Sequence, residues 1–316
     1  MRIVIPDDYQ DAVRHLACFA KLKGHDVVIY RDTVKDVDAL AARFADADAL
    51  VLIRERTAIT DQLLAQLPRL RLISQTGKGT AHIDVDACAR RGVVVSAGTG
   101  SPYAPAELTW ALVLAAMRRV PLEAARLRAG AWQSTIGTLL RGRTLGVFGY
   151  GKIGSLVAGY GRAFGMRVVA FGREGSSARA AADGFETAAD QQTLFGIADV
   201  LSLHLRLTKE TRGIVTAADL ASMKPDALLV NTSRAELIEP GALAAALRAG
   251  RPALAAVDVY EEEPVLGASH PLLALDNALC TPHLGYVEQD SYELYFGQAF
   301  DQVLAFAAGA PINVVG

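Results

Sequence analysis

Short aliphatic runs alternate with alanine- and leucine-rich stretches of helical period from residue 2 to residue 283. Strands are expected at RIVIP (2–6), DVVIY (26–30), ALVLI (49–53), LRLIS (70–74) and GVVVS (92–96). A denser second series follows: TLGVFGYG (144–151), RVVAFG (167–172), DVLSLH (199–204), ALLVNTS (227–233), ALAAVDV (253–259) and NALCTPH (277–283). These runs are apolar without alternation, so both faces of each strand need cover, which is the pattern of parallel sheets flanked by helices. Between them lie helical stretches such as VDALAARFADA and TDQLLAQLP, the second with Thr60 placed to cap it. The expected fold class is α/β with two doubly wound parallel sheets.

The turn-rich break Gly98-Thr99-Gly100-Ser101-Pro102 follows the fifth strand and marks a domain boundary. A chain of 316 residues predicts two domains, here 98–284 and a second made of 1–97 with 285–316. Residues 105–119 read as one long helix with more apolar positions than a single stripe needs, among them Leu108, Trp110, Leu112, Val113 and Leu114. Such a helix is either buried all round or packed in part on a second copy of the chain. Trp110 and Trp132 read as packing or interface anchors.

Composition then removes whole function classes. At 51% hydrophobic and 21% charged residues the chain is not disordered. Lys and Arg total 32 against 34 Asp and Glu, with no basic block, so no nucleic-acid partner is expected. Cys18, Cys88 and Cys280 show no metal-ligand spacing and fit a reducing, cytoplasmic setting. No apolar run approaches the roughly 20 residues of a membrane span, and the opening MRIVIP is too short for a signal core. The expectations are therefore no metal, no membrane and a small-molecule ligand.

Gly149-Tyr150-Gly151-Lys152-Ile153-Gly154 is a GxGxxG that ends an apolar strand and opens a helix. The first glycine permits the tight turn, the second admits a pyrophosphate to the backbone, and the third lets helix and strand pack closely. The phosphates would sit on unpaired N–H groups at the positive helix end. The fingerprint also asks for an acid about 20 residues on, to hold a ribose 2′-hydroxyl. That tip reads Gly172-Arg173-Glu174. Arg173 is suited to a 2′-phosphate, which favours NADP, while Glu174 acting from two residues later leaves NAD open.

Three polar features close later strands, where ligands of open α/β sheets bind. They are Asn231-Thr232-Ser233-Arg234, then Asp258-Val259-Tyr260-Glu261-Glu262-Glu263-Pro264, then Thr281-Pro282-His283-Leu284-Gly285. A guanidinium grips a carboxylate, an imidazole handles a proton, and a carboxylate orients the imidazole.

With TLGVFGYGKIG, SLHLRLTKETRGIV, MKPDALLVNTSRAELI, ALAAVDVYEEEP and CTPHLG in this order, the chain resembles the D-isomer-specific 2-hydroxyacid dehydrogenase family over essentially its whole length. The resemblance implies a Rossmann dinucleotide domain inserted into a flavodoxin-like substrate domain. It implies NAD(P)-dependent hydride transfer at C2 of a small 2-oxo or 2-hydroxy acid of D configuration. It makes Arg234 the carboxylate ligand, His283 the proton donor and Glu263 its partner. It turns Asp258 to the nicotinamide carboxamide and sets Leu205, Thr232 and Gly285 against the cofactor. The segment Thr76-Gly77-Lys78-Gly79 resembles the family's substrate loop, in which backbone at Lys78 and Gly79 helps hold the carboxylate. A homodimer through residues 102–135 is also implied.

The chain departs from the family pattern at Gly172-Arg173, at Arg206 where proline is usual, and at Tyr286 where a second glycine is usual. A dinucleotide-sensing regulator of the same fold is the alternative reading. Glu261 and Glu262 read as a solvated acidic turn, and His15, His25, His82 and His270 as surface or structural residues. Cys280 reads as a core thiol. The arginine pair 54 and 56 fits either a second anionic group on the substrate or a salt-bridged surface.

Overall fold

The computed structural model describes residues Met1–Gly316, except for the side chain of Glu174. It divides into two compact units, one of Met1–Ser101 with Val287–Gly316 and one of Pro102–Tyr286.

In the first unit β1 (Arg2–Ile5), β2 (Asp26–Ile29), β3 (Ala49–Leu52), β4 (Leu72–Gln75) and β5 (Val94–Ala97) pair in parallel, in the order β2-β1-β3-β4-β5. That is the flavodoxin-like order of doubly wound sheets. The inner strand β3 is buried at every residue, as its unbroken apolar run requires. Thr60 caps the helix Asp61–Leu64 by accepting the Leu63 N–H at 3.3 Å. The C-terminal segment belongs to this unit through the helix Gln289–Ala307 and the Val315 N–H bond to the Val95 carbonyl (2.8 Å).

In the second unit β6 (Thr144–Phe148), β7 (Arg167–Phe171), β8 (Glu186–Thr187), β9 (Val200–Leu203), β10 (Leu228–Asn231), β11 (Leu254–Val257) and β12 (Ala278–Cys280) form an all-parallel sheet. Its order, β12-β11-β10-β9-β6-β7-β8, is the Rossmann arrangement with one further strand. Alternate residues feed two cores. Val147, Val200, Val230 and Ala256 face the helices 103–117 and 152–163, while Phe148, Leu201, Leu229 and Val257 pack with Leu194, Phe195 and Leu243. Each of these Val, Leu and Phe side chains, fully buried, contributes about 1.5–3 kcal/mol.

Three expectations change. The edge strand β8 is absent from the predicted set because its two residues are exposed and polar, with Glu186 paired to Arg167 (2.6 Å) rather than to a core. The hydrogen-bonded strands stop short of the apolar runs, because the turns at their carboxyl ends stay buried too, as at Asp258 and Val259. The long helix spans Tyr103–Met117, and the chain then turns left-handed at Arg119 (φ 54°) into a second helix, Val120–Arg128. Trp110 is a packing anchor inside its own unit, against Phe164 (5.0 Å between ring centres) and Tyr160 (6.2 Å). Trp132 is not, being 76% exposed.

Candidate active site

The turn after β6 gives each glycine a separate task. Gly149 sits at φ +100°, and a Cβ there would lie 2.7 Å from the His204 carbonyl oxygen. At Gly154 a Cβ would run into the Gly149 carbonyl, so the helix Lys152–Ala163 lies against the strand only because that side chain is missing. Gly151 is the helix N-cap, with open space where a side chain would stand and no side-chain cap. The first N–H groups, at Lys152 and Ile153, are therefore left for an anion from outside, and the residues fit a dinucleotide pyrophosphate. Leu205 closes over the turn, its Cδ2 3.1 Å from where a Gly149 Cβ would be. Tyr150 is buried.

Exposed Arg173 caps the next helix, Glu174–Ala182, directly after Gly172 at the β7 tip. The Glu174 carboxylate named as the alternative ribose ligand lies outside the described residues. Beside Leu205, burial pushes His204 down to about 4, and its Nε2 pairs with Ser202 Oγ (2.8 Å).

Arg234, Glu263 and His283 follow three consecutive strands of the sheet, β10, β11 and β12. Asn231, buried at the end of β10, shapes the first turn by accepting the Ser233 N–H (3.1 Å) and donating to the Arg234 carbonyl (2.8 Å). Ser233 Oγ donates to the Leu203 carbonyl (2.8 Å), and Arg234 Nη1 donates to the Ser233 carbonyl (2.7 Å). The guanidinium is thus tied at one edge and half-buried. Thr232 Oγ1 lies 2.7 Å from Thr109 Oγ1. The Thr109 proton goes to the Pro105 carbonyl (2.7 Å), so Thr232 is the donor of the pair.

His283 Nδ1 meets Glu263 Oε2 at 2.6 Å, and Glu263 Oε1 accepts the Tyr260 N–H (3.0 Å). Burial pushes the Glu263 carboxyl up, but its bond to His283, the His283 charge and Arg234 outweigh this and hold it below the ordinary glutamate value. An ionised Glu263 only accepts, so Nδ1 carries the proton and Nε2 is turned to other work. His283 itself is in the left-handed region (φ 52°). Asp258 holds it there. Its Oδ1 accepts from Thr281 Oγ1 (2.6 Å) and the Leu284 N–H (2.7 Å), and its Oδ2 accepts the Gly285 N–H (2.8 Å). Burial raises the Asp258 carboxyl against these bonds. Tyr286 packs edge-on to the His283 ring, 5.5 Å between centres.

The first unit carries the Thr76–Lys78–Gly79 loop. Gly77 (φ +84°) and Gly79 leave room for the Arg54 and Glu55 side chains, which a Cβ at either glycine would strike. Thr76 Oγ1 donates to the Leu52 carbonyl (2.7 Å), and Gln75 Nε2 donates to the Arg54 carbonyl (2.9 Å). Lys78 is exposed at the loop tip. His82, four residues on from Lys78, is pushed down to about 4 by burial.

The pinning of the His283 loop by Asp258 and the Thr109–Thr232 hydroxyl pair were not foreseen. The first depends on two neighbouring strand ends meeting, and the second on a helix crossing a strand end 123 positions away.

A family model described as "D-isomer specific 2-hydroxyacid dehydrogenase, NAD binding domain" matches residues 110–285. Glyoxylate reductase of Aeropyrum pernix is 40% identical over 293 residues, covering 88% of this chain and 85% of the relative. D-3-phosphoglycerate dehydrogenase of Mycobacterium tuberculosis is 41% identical over 253 residues, covering 79% of this chain. The match takes in 47% of that relative, so the chain aligns with about half its length. Among solved structures, phosphoglycerate oxidoreductase of Vibrio cholerae superposes with a TM-score of 0.96 at 55% identity, covering 98% of this chain and 100% of that one.

Proposed function

Since the chain belongs to the D-isomer-specific 2-hydroxyacid dehydrogenase family, we propose that the residues on β10, β11 and β12 carry its reaction. It is an oxidoreductase that uses a nicotinamide dinucleotide, NAD(P), and acts at C2 of a small 2-oxo or 2-hydroxy acid. The relatives named above are a reductase, a dehydrogenase and an oxidoreductase, which favours an enzyme over a dinucleotide sensor. The bound dinucleotide supplies or accepts the hydride.

In the reducing direction Arg234 grips the substrate carboxylate, a planar fork on a planar anion. In the first unit the motif gives the backbone at Lys78 and Gly79 a part in holding a carboxylate. His283 donates its Nε2 proton to the C2 oxygen as negative charge develops there, and in reverse neutral Nε2 takes that proton back. Glu263 keeps the ring turned and balances its charge while both protons are present. Asp258 Oδ2 accepts one loop N–H and retains acceptor capacity for a carboxamide N–H. Lys152 and Ile153 would hold the phosphates through their N–H groups, on the turn shaped by Gly149, Tyr150, Gly151 and Gly154, with Leu205, Thr232 and Gly285 lining the remainder. Exposed Arg173 beside Gly172 favours the 2′-phosphate of NADP.

The observation that carries this reading is the 2.6 Å Glu263–His283 pair, set one strand end away from Arg234. Product analysis tests it. Glyoxylate reports turnover, and hydroxypyruvate, pyruvate and phenylpyruvate report stereochemistry. The expected products are D-hydroxy acids alone. An L or racemic product, or turnover of uncharged ketones at the same rate, overturns it.

The physiological form is a homodimer through residues 102–135. Val120, Leu127 and Trp132 are large apolar residues left exposed there, and Ile136, at 97%, and Leu139 continue the surface just beyond. Trp132→Ala should weaken self-association several-fold in sedimentation, and sedimentation like wild type would place the interface elsewhere. No helix among the described residues is long and apolar enough to cross a membrane. The three free cysteines fit a cytoplasmic setting.

A further inference from the structure

Tyr150, between the first two glycines of the turn, is held at every polar group by one neighbouring helix. Its N–H donates to Ser176 Oγ (2.8 Å), its carbonyl accepts from Arg179 Nη2 (3.0 Å), and its hydroxyl donates to Asp183 Oδ2 (2.6 Å). Ser176 and Arg179 lie in the helix Glu174–Ala182, and Asp183 is its C-cap. The ring packs on Phe185, 5.8 Å between centres. Burial and then the Asp183 bond push the phenol up to about 12, so the hydroxyl stays a donor.

Ser176 does a second thing. A Cβ on Gly172 would lie 2.9 Å from Ser176 Oγ and 3.1 Å from Ser176 Cβ. Gly172 is not in the left-handed region, so the main chain there makes no demand for glycine. The demand comes from Ser176 alone. Its hydroxyl cannot swing away without dropping the Tyr150 N–H, and the contact to its Cβ is the same in every rotamer.

We propose that Ser176 is a coenzyme-specificity residue: it locks the glycine turn through Tyr150 and bars from position 172 the acidic side chain that would hold a ribose 2′-hydroxyl. The inference rests on the reading of residues 149–154 as the dinucleotide turn and of Gly172-Arg173 as a 2′-phosphate site. It makes the glycine at the β7 tip a consequence of its neighbour four residues on. An acid placed at 172 alone must displace Ser176 and release the turn, so it costs binding of both coenzymes. Removing the Ser176 side chain as well gives the acid its room.

The test is calorimetric titration of the full chain with NADPH and with NADH, for wild type, Gly172→Asp, Ser176→Gly and the double variant. Melting of each unliganded protein is followed in parallel. Wild type is expected to favour NADPH. Ser176→Gly should weaken both coenzymes about three- to tenfold, the size of one lost hydrogen bond, with little change in their ratio. Gly172→Asp should weaken both by tenfold or more. The double variant should bind NADH at least about tenfold more tightly than Gly172→Asp does, with the preference reversed.

Gly172→Asp alone reversing the preference at full affinity, or additive effects at 172 and 176, overturns the proposal. If Gly172→Asp does not fold, Gly172→Ala adds the Cβ alone and must show the same coupling to Ser176. A wild type that prefers NADH overturns the 2′-phosphate reading, and the NADH coupling still decides the role of Ser176. A wild type that binds neither coenzyme overturns both.

Discussion

Each sheet sends its first strand into a turn, and the two turns treat negative charge in opposite ways. After β1 the chain reads Pro6-Asp7-Asp8, and the fully buried Asp8 carboxylate accepts the N–H groups of Ala12 and Val13, both at 3.0 Å. After β6 it reads Gly149-Tyr150-Gly151, and the following helix begins on a glycine with no side-chain cap. The first turn contains its own anion. The second is built to receive one. Two parallel sheets thus carry opposite first turns: one holds a carboxylate of its own, and the other leaves its first helical N–H groups open.

The strongest way to break this contrast is to give the second turn a carboxylate too. Gly151→Asp, at a site with open space for a side chain, should weaken dinucleotide binding by at least about a hundredfold, because like charges brought together cost several kcal/mol. Calorimetry reads the affinity, and unchanged binding would mean that the phosphates lie elsewhere. The converse change, Asp8→Ala, leaves the buried Val13 N–H and the partly buried Ala12 N–H without an acceptor and should cost about 1–3 kcal/mol of unfolding free energy. Dinucleotide affinity should stay at the wild-type value, so a loss of affinity would contradict the separation of roles.

A smaller effect sharpens the contrast by pH. The Asp8 carboxylate serves backbone, whereas Glu263 serves an ionisable partner. The folded Glu263 carboxyl lies below its ordinary value, so on acidification the unfolded chain takes up this proton first. The stability it contributes is present above the ordinary glutamate range and disappears as pH falls through the folded value. Glu263→Gln should flatten that part of the acid unfolding profile, which denaturant titration at stepped pH would detect. An unchanged profile would show that the pair contributes nothing to stability.

Much of this was legible in the chain because burial writes itself as apolar runs. β3 and β10, covered on both faces, are unmistakable, while β8 has no apolar residue to announce it. The GYGKIG turn and the three polar strand ends were legible for a related reason. Backbone approach needs glycine, and proton and carboxylate chemistry needs a few residue types. What spacing does not reveal is contact across elements. Ser176 matters because its helix crosses Gly172 and Tyr150, and Asp258 because its strand end reaches the loop of His283. Trp132 was open for the same reason: a large apolar side chain does not say whether its own unit or a second copy covers it, and its own unit leaves it 76% exposed.

The most direct test of the account is reduced-coenzyme oxidation by wild type and His283→Ala, with glyoxylate, hydroxypyruvate, pyruvate and phenylpyruvate as acceptors. Wild type should turn over at least one of these acids. His283→Ala should lower kcat by about 10²–10⁴-fold while the coenzyme dissociation constant stays the same. A variant that turns over like wild type, or a wild type that binds coenzyme and reduces none of the four acids, would contradict it.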